Sequence, residues 1–168
     1  MALRAYIMTA SDSGYAGGRE DLSGPAAEEL LRQAGYDIAG YALLPDDRAM
    51  LAEAMRKVCD EDQADLLVTT GGTGFSPRDC TPEATADVIE RATPGIPEAM
   101  RYYSLQITAR AMLSRAQAGI RGGSLIVNLP GSPKAARENL AAVLPTLAHG
   151  LEMLSGRPAD CPKLTDRP

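Results

Sequence analysis

Apolar and polar positions along the chain alternate between two rhythms, short apolar runs and stretches with helical spacing. Residues 5–9 form a first apolar run, followed by a polar segment, 11–19, rich in Gly and Ser. Ala26, Leu30, Leu31 and Ala34 put an apolar stripe on a helix that stops at Gly35. Residues 36–44 read as a second strand. Met50, Leu51, Ala54, Met55, Val58 and Cys59 then recur at helical spacing, and a third strand covers 65–70. Two helices are predicted next. One starts near Thr81, and the other carries Ile96, Met100, Tyr103 and Ile107 on one face, with Tyr103 expected in the core. Residues 116–121 and 124–129 flank Gly122-Gly123, a pair suited to a tight hairpin. A last helix carries Ala136, Leu140, Leu144 and Leu147 and continues to Leu151 and Leu154. The predicted architecture is a three-layer α/β/α sandwich with a mostly parallel sheet and one antiparallel hairpin.

Composition narrows the picture. A chain of 168 residues with 45% hydrophobic content suits a single domain over 1–168, with 156–168 expected to be an extended tail. There is no repeat or low-complexity tract, no apolar stretch near the roughly 20 residues of a membrane span, and no signal-peptide pattern at the amino terminus. The expected location is the cytosol. Cys59, Cys80 and Cys161 are odd in number and widely spaced, which suits a reducing compartment and argues against structural zinc. His149 is the only histidine, so His-based metal clusters and Ser-His-Asp triads have little support. A net charge of −5 speaks against nucleic acid as a partner. A small phosphorylated ligand would need local donors or a metal ion to offset that acidic field.

The chemistry concentrates after the third strand. Thr69-Thr70-Gly71-Gly72-Thr73-Gly74 offers glycines that allow backbone N–H groups to approach an anion, and threonine hydroxyls beside them. It is not a P-loop, because no Lys occurs between Lys57 and Lys134. Nor is it a dinucleotide fingerprint, since Pro77 stands where a third small residue is required and the motif follows the third strand. A parallel sheet would bring three further strand ends to the same edge. Ser11-Asp12 is accounted for by a capped turn; Asp46 and Asp47 fit either a helix cap or a site; Pro130-Gly131-Ser132 is normal helix-start chemistry. Taken together they suggest a phosphate-rich ligand across two loops, with Asp46 and Asp79 available to a divalent cation.

These residues also carry a family resemblance. The glycine turn, Arg78-Asp79, Thr81-Pro82-Glu83-Ala84, the segment 94–101 and Asn128-Leu129-Pro130-Gly131 resemble the Mog/MoaB family of molybdenum-cofactor biosynthesis over nearly the whole chain. The resemblance implies a molybdopterin adenylyltransferase that uses ATP and Mg²⁺, acts as a homotrimer and hands its product to a molybdenum-insertion enzyme. By position it makes Asp46 and Asp79 the catalytic and Mg²⁺-holding pair. Thr70, Gly71, Gly72, Thr73 and Gly74 match the family's ligand-binding loop, and the neighbouring strand ends add Ser11, Asp12, Pro130, Gly131 and Ser132 as candidate substrate contacts.

Other residues admit more than one reading. Arg78, Arg101, Lys134 and Arg137 are phosphate contacts or solvated charges; Tyr102 and Tyr103 stack on a pterin or pack. Cys80, with no His beside it, reads as a packing residue rather than a nucleophile. The rival functions are an inactive molybdopterin carrier or scaffold of the same fold, which would bind without releasing pyrophosphate, and a generic nucleotide hydrolase.

Overall fold

The computed structural model describes residues 2–62 and 64–156, so Cys161 and the expected tail beyond Gly156 lie outside the described residues. The elements run β1 (Arg4–Ala10), α1 (Asp12–Tyr15), α2 (Ser23–Gln33), β2 (Asp37–Leu44), α3 (Arg48–Asp60), β3 (Leu66–Thr70), α4 (Thr81–Ala86), β4 (Arg91–Ala92), α5 (Gly95–Leu105), a 3₁₀ turn (Ala109–Leu113), β5 (Ala118–Arg121), β6 (Ser124–Leu129) and α6 (Pro133–Leu154). They build one six-stranded sheet in the order β2-β1-β3-β6-β5-β4.

Strand alternation explains the layers. Ala5 and Ile7 of β1, Leu66 and Val68 of β3, and Leu125 and Val127 of β6 point to one face, where they meet α2, α5 and α6. Met8, Leu67 and Ile126 point to the other face, where Leu51, Met55 and Val58 of α3 and Ala84 of α4 cover them. All five residues of β3 are buried, as expected of a central strand covered on both faces. The expected three-layer sandwich is therefore present. β2, β1, β3 and β6 run parallel, and β5 is the antiparallel strand beside β6.

Several details depart from the pattern reading. β5 begins at Ala118, and a two-residue strand, β4, adds a second antiparallel pairing against it; two residues are too few to leave a periodic signal. The polar segment after β1 contains a single helical turn, capped when Ser11 Oγ accepts the Gly14 N–H at 3.0 Å. Tyr103 and Ile107 are exposed rather than in the core, at 41% and 53%, because α5 ends at Leu105 and only its Met100 side is covered. Among the described residues no helix is long and apolar enough to cross a membrane.

Polar side chains lock the strand ends beneath the loops. Thr70 Oγ1 donates to Thr9 Oγ1 at 3.1 Å and lies 2.9 Å from Ser23 Oγ, while Thr9 Oγ1 donates to Asp21 Oδ2 at 2.7 Å. Asp21 also accepts from Tyr41 Oη at 2.7 Å and from the N–H groups of Ser23 and Gly24. Burial pulls the Asp21 carboxyl upward, but the hydrogen bonds from Thr9, Tyr41, Gly24 and Ser23 outweigh it and hold the group below the usual range. A second lock is Asn128, fully buried, whose Nδ2 donates to Thr69 and Thr85 hydroxyls at 3.0 and 2.8 Å and whose Oδ1 accepts the Gln117 N–H at 3.1 Å. It ties β3, β6 and α4 together.

Replacing Asp21 by Ala leaves several part-buried donors unmatched and is expected to cost about 1–3 kcal/mol. Because the folded-state pKa of Asp21 is depressed, its contribution is present above the unfolded carboxyl pKa and is lost as pH falls through the folded value. Denaturant titrations should therefore show a gap at neutral pH that narrows in acid; equal stability of Asp21→Ala and parent at neutral pH would contradict this account.

Candidate active site

Four parallel strands end at one edge, and their loops form the walls of the site. β1 delivers Ser11 and Asp12, β2 delivers Asp46, β3 delivers the glycine turn, and β6 delivers Pro130 to Ser132. The turn is tightly packed. Gly71 and Gly72 have φ of +86° and +64°, a region in which only glycine sits without strain. A Cβ on Gly71 would strike the Ala10 carbonyl; one on Gly72 would strike the Thr81 hydroxyl and stand 2.9 Å from Asp46 Oδ1. Gly131 approaches from the far side, where its own Cβ would stand 3.2 Å from Gly71 Cα.

The two neighbouring aspartates after β2 divide their tasks. Asp47 caps α3, accepting the Met50 N–H at 2.9 Å. Asp46 faces the cleft and is held by a reciprocal pair: Asp12 N–H donates to Asp46 Oδ2 at 3.0 Å, and Asp46 N–H donates to Asp12 Oδ1 at 2.9 Å. Arg78 grips Asp12 with two hydrogen bonds of 2.8 and 3.1 Å. Those bonds, with the one from Asp46 N–H, hold the Asp12 carboxyl below its ordinary value. Asp46 is shifted the other way. Burial pushes its pKa up, and repulsion from Asp12 and Asp79 adds to that against the Asp12 N–H and Arg78. Asp79 sits inside the glycine turn, its Oδ2 accepting the N–H groups of Gly74 and Ser76 at 2.9 and 3.2 Å.

A cleft of about 560 Å³ results, lined by Ser11, Asp12, Asp46, Gly71, Gly72, Asp79, Gly131 and Ser132, among others. A second hollow of about 480 Å³ lies against Thr73, Gly74, Pro130 and Ser132, with Arg101 and Asn139 in its wall. The expected contacts thus gather at one place but divide between two hollows that share Ser132. Thr70 alone lines neither hollow. It is fully buried and its hydroxyl is used in the strand-end lock, so it supports the site from beneath. Of the four cations, Arg78 lies in the first cleft and Arg101 in the second, while Lys134 and Arg137 line neither; Lys134 pairs with Glu138 in the wall of the second hollow and Arg137 with Glu29. Tyr102 and Tyr103 line neither. Cys80 precedes α4, and burial above all raises its thiol, against nucleophilic use.

Sequence reasoning missed Thr9, Asp21 and Ser23 in the first cleft. The Asp21-x-Ser23 pattern ahead of α2 is a capping signal that could have flagged them. It also missed Arg115 and its pairing with Glu83, a meeting of distant parts of the chain.

Whether the donors fit Mg²⁺ can be judged from the side chains present. Among the described residues no three His, Cys, Asp or Glu groups cluster in a metal-binding arrangement. The Thr81 hydroxyl, however, is fully buried without a partner and, like Asp46 Oδ1, closes on Gly72. One or two carboxylates, with phosphate oxygens completing the shell, is the usual way Mg²⁺ is held, and this donor set fits that mode rather than an all-protein cage.

Comparison with known proteins agrees with this fold. The chain is 45% identical over 152 residues to the molybdopterin adenylyltransferase of Helicobacter pylori strain J99, covering 89% of this chain and 86% of that protein. It is 39% identical to gephyrin of Dictyostelium discoideum over 90% of this chain, which spans 22% of that longer protein. Among solved structures, the molybdopterin biosynthesis enzyme MoaB from Thermus thermophilus superimposes with a TM-score of 0.88 at 46% identity, covering 94% of this chain and 99% of that one. The family described as "Probable molybdopterin binding domain" matches residues 6–149, from β1 into α6 and across every loop of the cleft, and the chain belongs to it.

Proposed function

We propose that this chain is a molybdopterin adenylyltransferase: it transfers AMP from ATP to the terminal phosphate of molybdopterin and releases pyrophosphate. The observation that carries this reading is the pair of hollows meeting at one glycine turn, with Asp46 and Asp79 on the side of the larger one. Two bulky ligands can then meet with their phosphates over the turn. The names of the similar H. pylori protein and of the T. thermophilus structure support the same chemistry.

The difficulty in this reaction is charge. A phosphate oxygen must attack the α-phosphorus of ATP, the bond to the pyrophosphate oxygen must break, and both partners are anions. Two unit charges 4 Å apart repel by about 4 kcal/mol at an effective dielectric of 20, and several such pairs meet here. The site answers with backbone N–H groups at Gly71 and Gly72, whose missing side chains let phosphate oxygens come close, and with Arg78 at the rim. Asp46 and Asp79 would hold Mg²⁺, which when bound neutralises the phosphates and stabilises the leaving pyrophosphate. The nucleophile needs no dedicated base, because a phosphomonoester has its second pKa near 6 and is mostly dianionic at neutral pH. Asp46 and Asp79 therefore orient and balance charge rather than abstract a proton.

A second reading has its own observation: gephyrin of D. discoideum contains a similar stretch as about a fifth of its length, so the domain also serves within a larger protein. A carrier or scaffold would bind the pterin without turnover. The enzyme is preferred here because the similar H. pylori protein, matched over 86% of its own length, carries the name of the enzyme, whereas gephyrin of D. discoideum is matched over 22% of its length. Action in the cytoplasm, assembly as a homotrimer and hand-over of the product to a molybdenum-insertion enzyme belong to the same proposal.

Pyrophosphate release from MgATP is expected only when molybdopterin is present; binding of the pterin without release would favour the carrier. Asp79→Asn should fold normally and lose about 100-fold or more in turnover, and normal turnover would remove Asp79 from the mechanism. Asp46→Asn should lose turnover as well, yet be at least as stable as the parent at neutral pH. The raised pKa of Asp46 means that its ionised form opposes folding, so the advantage disappears in acid, where both side chains are neutral. A clear loss of thermal stability at neutral pH would contradict that. Gly72→Ala should impair ATP binding through collision with Thr81 and Asp46, checked by calorimetry with a non-hydrolysable ATP analogue.

A further inference from the structure

We propose that Arg115 is a positioning residue for Asp79 and that, anchored by Glu83, it fixes the glycine turn in its working shape. The proposal rests on the adenylyl-transfer reading for its catalytic consequence. Arg115 lines neither hollow but reaches the turn three ways and α4 by a fourth contact. Its backbone N–H donates to the Thr73 carbonyl at 2.9 Å, Nε to the Gly74 carbonyl at 2.7 Å, and Nη2 to the Asp79 carbonyl at 2.9 Å. Nη1 pairs with the Glu83 carboxylate in the first turn of α4.

One planar fork thus grips both ends of residues 74–79. Within that loop the Asp79 carboxylate accepts the Gly74 and Ser76 N–H groups, so the loop is closed from inside by Asp79 and from outside by Arg115. The two closures share their anchor points: Gly74 donates its N–H to one and accepts with its carbonyl from the other. Releasing the guanidinium lets Gly74 and Asp79 separate, and the carboxylate loses its fixed direction. Arg suits this task because its donors are set in a rigid plane, whereas a lysine ammonium offers one flexible point. Ser114, the preceding residue, lines the second hollow, so the peptide that carries the clamp is continuous with the wall facing the other ligand.

The test is Arg115→Lys, with Glu83→Gln as a milder companion that weakens the anchor while keeping its shape. Two readouts are taken on the full chain: steady-state kinetics with MgATP and molybdopterin, and amide hydrogen exchange. A fall in kcat of about tenfold or more is expected for Arg115→Lys, with KM for ATP changed less than about threefold, and a smaller change in the same direction for Glu83→Gln. Exchange at Gly74 and Ser76 should quicken by about tenfold while β3 and β6 amides keep their protection. Unchanged kcat, or unchanged exchange at those two amides, overturns the proposal. A uniform acceleration across the sheet overturns it too, since that marks Arg115 as a general stabiliser. If the parent chain shows no adenylyl transfer while the two amides still respond locally, the reading of the reaction fails and the positioning of the loop stands.

Discussion

Everything at the ligand edge depends on how closely the β3 turn can pack. β3 is the inner strand between β1 and β6, buried along its whole length, and its C-terminal end must pass under the Ala10 carbonyl, beside Gly131 and against Thr81 and Asp46. No side chain fits at Gly71 or Gly72, and both adopt positive φ. The missing side chains do two things at once. They let four loops converge, and in the proposed reaction they allow backbone N–H groups to meet an anion closely.

Around that turn the electrostatics are arranged unevenly. Asp12 is satisfied by Arg78, whereas Asp46 is partly buried between two other carboxylates and its ionised form is disfavoured. A carboxylate kept in such a place lowers stability for as long as it remains unpaired by a cation, the usual relation between a functional site and the fold that carries it. The strand-end lock of Thr9, Thr70, Ser23 and Asp21 and the Asn128 network lie directly beneath. They supply rigidity from groups that are fully matched, so that the unmatched ones above can stay in place.

Much of this was legible in the sequence because it is local or periodic. The three-layer sandwich follows from strand and helix rhythms, and the glycine turn, Asp46 and Asp79 stand out at strand ends. What was hidden is what depends on distance along the chain. Thr70 looks like a ligand contact in the motif, yet its hydroxyl points into the lock beneath the site, a consequence of strand alternation from Val68. Tyr103 matches the helical stripe, but α5 is covered only on its Met100 side. Arg115 precedes β5 with no local pattern to mark it, and only folding brings it onto the turn 36 residues upstream at Asp79.

In the proposed reaction one glycine turn joins the two hollows, so that phosphates from both sides meet over it. A crystal structure with adenylylated molybdopterin bound tests this most directly. The diphosphate link is expected to lie over Gly71 and Gly72 and to accept from their N–H groups, with the adenosine in one hollow and the pterin in the other. A ligand seated entirely within one hollow, or with its phosphates away from the turn, would contradict it.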